Sequence, residues 1–254
     1  MRTLLLAIAG FLAATVGALA QDDDACSVAA PLVHAESALS HVAAAIDTAH
    51  HLDVVVVGSA SSVLPGIAGK RTAYPARLEP LLANRLPGVE VKVGVRAKPR
   101  QTAAEMAEQF DKLLAEDKPA LVIWQTGTVD AMRGVDPDQF RTTLDDGVGA
   151  LHTGNADVIL MNMQYSPRTE SMIAVDTYAE QMLWVAIQRE VPLFDRLGIM
   201  RHWSELGTFD LFSGDKNPQM AEQVHDCIAR LLVDLILDAA KRARSEPPPR
   251  GEAR

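Results

Sequence analysis

The run Leu52-Asp53-Val54-Val55-Val56-Val57, closed by Gly58, limits the fold more than any other stretch of the chain. Its valines follow one another without polar alternation. A strand of that kind is apolar on both faces and must be covered on both. This is the pattern of a parallel sheet held between helical layers, not of an antiparallel sheet with one wet face.

The rest of the chain supplies the partners. Strand patterns recur at Val89 to Val95, Ala120 to Trp124, Asp157 to Met163 and Val191 to Phe194. Helical spacing fills the gaps: Ala-rich His34 to His51, Ala73 to Leu86, Thr102 to about Glu116, Pro137 to Leu151, Asp176 to Glu190 and Gln219 to Arg244. Thr102-Ala103-Ala104-Glu105 is a capping box, whose hydroxyl and carboxylate satisfy orphan N–H groups. Strands alternating with helices predict one three-layer α/β/α domain of flavodoxin-like topology, with a mainly parallel five-stranded sheet. Ligands of such sheets bind beyond the carboxyl ends of the strands. The segments that should meet there are 58–66, 96–102, 125–130, 164–168 and 208–218.

The ends of the chain read differently. Arg2, the apolar run Leu4 to Val16 and the small residues Ala18-Leu19-Ala20 form a secretory signal pattern, with cleavage expected before Gln21. That divides the chain into a signal at 1–20, an arm and helix at 21–51, the α/β domain at 52–244 and a disordered tail at 245–254. The expected destination is the periplasm or the exterior. Two cysteines in an exported chain invite a disulfide, which would tie Cys26 to Cys227; the alternative is two buried thiols. Formal charge is −9, with 24 basic and 33 acidic residues. This argues against nucleic acid as the main partner and against a polybasic membrane anchor. There is no His-Glu-x-x-His and no P-loop, so no metal or cofactor is expected. Protein partners are left open.

The words at the strand ends resemble those of one family. Val54 to Val57 followed by Gly58-Ser59-Ala60-Ser61-Ser62 is similar to the opening strand and turn of the SGNH/GDSL hydrolases, and Gln125-Thr126-Gly127-Thr128-Val129-Asp130 resembles their third block, Gly-x-Asn-Asp. Tyr74 to Leu78, Gln101-Thr102-Ala103, Met200 to Trp203 and Cys227-Ile228-Ala229 carry similar words, so the likeness runs from about Leu52 to Leu232. It implies the SGNH-hydrolase fold and an ester (acyl or acetyl) hydrolase acting on a small-molecule ester or carbohydrate.

That chemistry needs a serine nucleophile, oxyanion donors and an Asp-oriented histidine. At the matching positions stand Ala60 for the nucleophile, Arg100 for the oxyanion glycine, Val129 for the asparagine and Pro218 or Gln219 for the histidine. Two readings follow. In one, the hydrolase is displaced: Ser61 or Ser59 attacks, Asp215 orients, and His202 or His225 serves as base. In the other, the protein is a pseudoenzyme whose old cleft binds an anionic or carbohydrate ligand. Its lining would draw on Gly58, Arg100, Gly127, Val129, Asp130, Gln164, Tyr165 and Arg168, with Arg96, Lys98 and Arg133 adding positive charge. Asp130 and Asp195 also have a plain role as loop ties.

Overall fold

The computed structural model describes residues 25–33, 36–212 and 217–245. The signal segment, the 246–254 tail and Asp215 lie outside them.

Five strands form one sheet: β1 (His51–Gly58), β2 (Glu90–Ala97), β3 (Leu121–Gln125), β4 (Asp157–Met161) and β5 (Leu193–Phe194). Their order is β2-β1-β3-β4-β5 and every neighbouring pair is parallel. The valines of β1 are buried on both faces, as their pattern requires. β2 is an exposed edge, and its outward Lys92 and Arg96 are the kind of charges that discourage a further strand.

Eleven helices follow in chain order among the described residues: α1 (Ser40–Ala44), α2 (Gly66–Thr72), α3 (Tyr74–Arg85), α4 (Ala103–Ala107), α5 (Phe110–Asp117), α6 (Thr128–Arg133), α7 (Pro137–Thr153), α8 (Pro167–Met172), α9 (Val175–Gln188), α10 (Arg196–Glu205) and α11 (Pro218–Ser245). α1, α3 and α11 pack together as one layer. α5, α7 and α9 form the other, as right-handed crossovers demand. Trp124 of β3 fills the second interface, edge-on to Phe110. Gly147 of α7 lets the helix approach, since a Cβ there would lie 2.6 Å from the indole.

Three expectations need correction. The helix expected over 34–51 is α1 alone, continued by one wider turn at Ala45–Ala49. Its start is set by docking: Leu39 N–H donates to the Ala239 carbonyl, and Val42 N–H to Asp157. The helix expected from Thr102 breaks into α4 and α5. The Gln109 side chain donates to the Glu105 carbonyl, the acceptor its own backbone N–H would use in a continuous helix. Short α2, α6, α8 and α10 occupy segments expected to be irregular; Ser166 and Asp195 cap the last two. The capping box at Thr102 is present in full.

Cys26 and Cys227 form a disulfide, with Cα atoms 5.0 Å apart. It pins the N-terminal arm to α11 and closes a sequence separation of 201 residues.

Candidate functional site

The sheet changes winding direction between β1 and β3, so a crevice opens beyond their carboxyl ends. The β1 loop enters it first. Ser59 is buried, and its carbonyl accepts the Ser62 N–H to close a 3-10 turn over Ala60–Ser62. Ala60, which the resemblance matches to the nucleophile, is exposed and carries only a methyl group. Ser61 lies within the turn.

Ser62 escaped the sequence reading. It is wholly buried, its hydroxyl donates to Gln125 Oε1 at 2.7 Å and lies 3.2 Å from the Tyr74 hydroxyl. Gly58 permits this, because a Cβ there would overlap the Ser62 oxygen. Tyr74 extends the network. The buried Arg196 guanidinium sits 5.7 Å over its ring, and the His225 ring stacks at 5.8 Å. Burial raises the Tyr74 pKa and pulls Arg196 down to about 10. The crevice floor is thus a sealed polar layer. In sequence, Ser62, Tyr74 and Gln125 fall inside the resembling words and His225 is a candidate base, but nothing joins them into one network or marks Arg196.

Arg100 and Val129 are the residues that the resemblance matches to the oxyanion donors. Arg100 adopts φ +66°, the left-handed conformation that glycine would enter freely, so the turn survives the Cβ. Val129 follows Gly127 and Thr128 and offers no side-chain N–H. Gly127 itself has φ +100°, and a Cβ would overlap Met163 Sδ. Asp130 is buried and accepts the Ala103 N–H at 3.0 Å and the Thr126 hydroxyl at 3.3 Å. Desolvation raises its pKa against those bonds. Its geometry is that of a tie between the β2 and β3 loops. Asp195 plays the same part further along, accepting from Asn162 at 2.7 Å and from Gly198 N–H at 2.9 Å.

The histidines of the described residues are placed as follows. Pro218 and Gln219, the two residues matched to the histidine by the resemblance, open α11, with Asn217 Oδ1 accepting the Met220 N–H. His225 is buried and its Nδ1 accepts the Tyr74 N–H at 2.9 Å. Desolvation, helped by Arg196 and Arg77, lowers its pKa to about 3 and keeps it neutral. Its ring is spent on structure. His202 lies on α10, and among the described residues no serine hydroxyl is hydrogen-bonded to an imidazole.

The cations do not converge as expected. Arg96 turns to Asp117 and Glu116, at 2.6 and 2.9 Å. Arg133 pairs with Glu105 and donates to the Arg100 carbonyl. Lys98 and Arg100 are exposed. On the β4 side, Gln164 is half-buried and Arg168 exposed. Tyr165 is buried, with its hydroxyl 3.3 Å from Glu170 and Arg201 over its ring. A separate concavity of about 560 Å³ lies on the β5 flank between α9 and α10, remote from Ala60 in the fold.

A family model described as the non-GDSL lipase-like family matches residues 25–242. Esterase TesA of Pseudomonas aeruginosa is 30% identical over 114 residues, covering 45% of this chain and 55% of that protein. The chain therefore spans about half the length of the curated relative it matches. Two solved structures superpose with a TM-score of 0.58. LAE5, an alpha/beta hydrolase enzyme from the metagenome of Lake Arreo, is 18% identical, with 74% of this chain and 96% of that one covered. A catalytic mutant of Axe2, an acetylxylan esterase from Geobacillus stearothermophilus, is 19% identical, with 73% and 94% covered. At such identities these two show the shared fold.

Proposed function

The chain belongs to the non-GDSL lipase-like family, within the SGNH/GDSL hydrolase-like group, and from that premise we propose that it binds a ligand in the crevice without cleaving it. Exposed Ala60 at the reacting position carries this reading. A methyl group can neither attack a carbonyl nor be activated by a base. Pro218 in place of the histidine and a neutral, engaged His225 support it. Removing either nucleophile or base abolishes most triad catalysis, so restoring one alone does not recover it.

The ligand class follows from relatives whose names state esterase and acetylxylan esterase. An acyl- or acetyl-bearing carbohydrate fits a cleft of that ancestry, walled by Gln164 and Tyr165 and floored by the Ser62 layer. Export to the periplasm or beyond completes the reading. It is supported by the signal pattern of the first twenty residues and by a disulfide suited to an oxidising compartment.

The test is a pair of assays on the purified protein. Calorimetric titration with acetylated xylo-oligosaccharides is expected to show saturable binding. Release of acetate from the same oligosaccharides is expected to equal the buffer rate. Acetate release that vanishes in Ser59→Ala or Ser61→Ala would establish the displaced hydrolase instead.

A further inference from the structure

Five large apolar side chains are more than three-fifths exposed among the described residues: Ile67 (78%), Phe212 (74%), Met172 (69%), Met132 (67%) and Leu206 (66%). All five stand on segments that leave the carboxyl ends of strands. Ile67 is on α2 after β1, Met132 on α6 after β3 and Met172 on α8 after β4, while Leu206 and Phe212 follow α10 after β5. The opposite end of the sheet presents none so exposed.

The β1 and β2 side of that end is poor in carboxylates, whereas exposed Glu170, Glu205 and Asp210 stand near Met172, Leu206 and Phe212. No acidic residue falls between Val54 and Leu78 or between Val91 and Ala104, although the chain has 33. Of the seven cations in those stretches, Arg77, Lys92 and Arg96 are held by Asp226, Glu90 and Asp117. Lys70, Arg71, Lys98 and Arg100 are exposed and form no ion pair among the described residues. The turn bearing Lys98 and Arg100 lies against the end of β1, where Lys98 N–H donates to the Gly58 carbonyl at 3.1 Å. α2, with Lys70 and Arg71, leaves that same strand end. Lys70 and Arg71 come from one segment, Lys98 and Arg100 from another, and both segments adjoin the end of β1.

We propose that this end of the molecule docks on an anionic lipid bilayer, with the four cations against headgroups and the apolar tips entering the interface. Positive charge near an anionic surface and apolar insertion are the two signals that together hold a peripheral protein. A soluble anion would not call for Ile67 and Phe212. A protein partner would favour one contiguous apolar face, whereas these five side chains are spread over four segments, which suits a fluid interface. Docked so, the crevice mouth beside Ala60 faces the membrane. The inference stands whether or not the crevice turns over its ligand.

The test is vesicle sedimentation with the whole protein. Vesicles of phosphatidylcholine with a quarter phosphatidylglycerol are expected to carry it down, and pure phosphatidylcholine much less. Lys70→Glu/Arg71→Glu and Ile67→Ser/Phe212→Ser should each weaken binding about tenfold or more, because each removes one of the two signals. Lys241→Glu, near the far end of α11, should leave it unchanged. All these residues are exposed, so unchanged thermal midpoints will show that folding is intact. Failure of the wild type to sediment with anionic vesicles would overturn the proposal. So would equal loss in Lys241→Glu. Binding that survives Ile67→Ser/Phe212→Ser would mark a soluble-anion site and overturn it as well.

Discussion

The loops after β1 and β3 stand side by side in the crevice and have had different fates. The β3 loop keeps a complete frame: Gly127 turns with positive φ, and Asp130 holds the start of α4 through the Ala103 N–H. The β1 loop keeps its turn and presents Ala60 at the place that the resemblance matches to the nucleophile. Residues that hold backbone are needed for folding whatever the cleft does. A nucleophile is needed only for turnover. On the proposed non-cleaving reading, the first kind of residue is needed and the second is not.

That comparison predicts large costs on the frame and small ones on the reacting position. The disulfide is the largest frame element by reach. Replacing Cys26 and Cys227 with serine should cost about 3–5 kcal/mol in urea unfolding, given the length of the closed loop. Asp130→Ala should cost about 2–4 kcal/mol by the same measurement, since it orphans a buried N–H and hydroxyl. A cost below about 0.5 kcal/mol would reduce Asp130 to a bystander.

His225 tests the floor. Its pKa is lowered from an ordinary imidazole value to about 3, so the folded state binds fewer protons than the unfolded one between those limits. Stability should therefore be full above about pH 6.5 and fall as acid is added, by up to about 1.4 kcal/mol per pH unit, until the folded pKa near 3 is passed. Asp157 opposes it at the other end of the sheet. Burial raises its pKa to about 6, so its share of stability grows as pH falls through that value. Unfolding curves of His225→Gln and Asp157→Asn across this range should each lose one of the two slopes.

The smallest effects belong to the vacated chemistry. Arg100→Gly relieves a left-handed residue and should raise stability by about 0.5–1 kcal/mol, read as a higher thermal midpoint. Ala60→Ser should change stability by less than about 0.5 kcal/mol and restore no hydrolysis, because Pro218 or Gln219 stands where the resemblance places the base and His225 Nδ1 is taken by the Tyr74 N–H.

Much of the frame was legible in the sequence. The valines of β1 announce a sheet covered on both faces, and Thr102 and Glu105 announce the start of a helix through local bonding. The floor was not. Ser62, Tyr74, Gln125, Arg196 and His225 come from distant parts of the chain and meet only in the folded core. The break at Gln109 was equally hidden, since it depends on which carbonyl one amide side chain takes. Charge misled in a similar way: Arg96 sits in a basic word, yet the fold turns it to carboxylates on α5.

The central claim is that no serine of this crevice is activated. Fluorophosphonate treatment of the purified protein, with peptide mapping by mass spectrometry and an active esterase as control, tests it most directly. The account predicts labelling of the control and none here. Label on Ser59, Ser61 or Ser62 that disappears when that serine becomes alanine would contradict it and restore the protein to the working hydrolases.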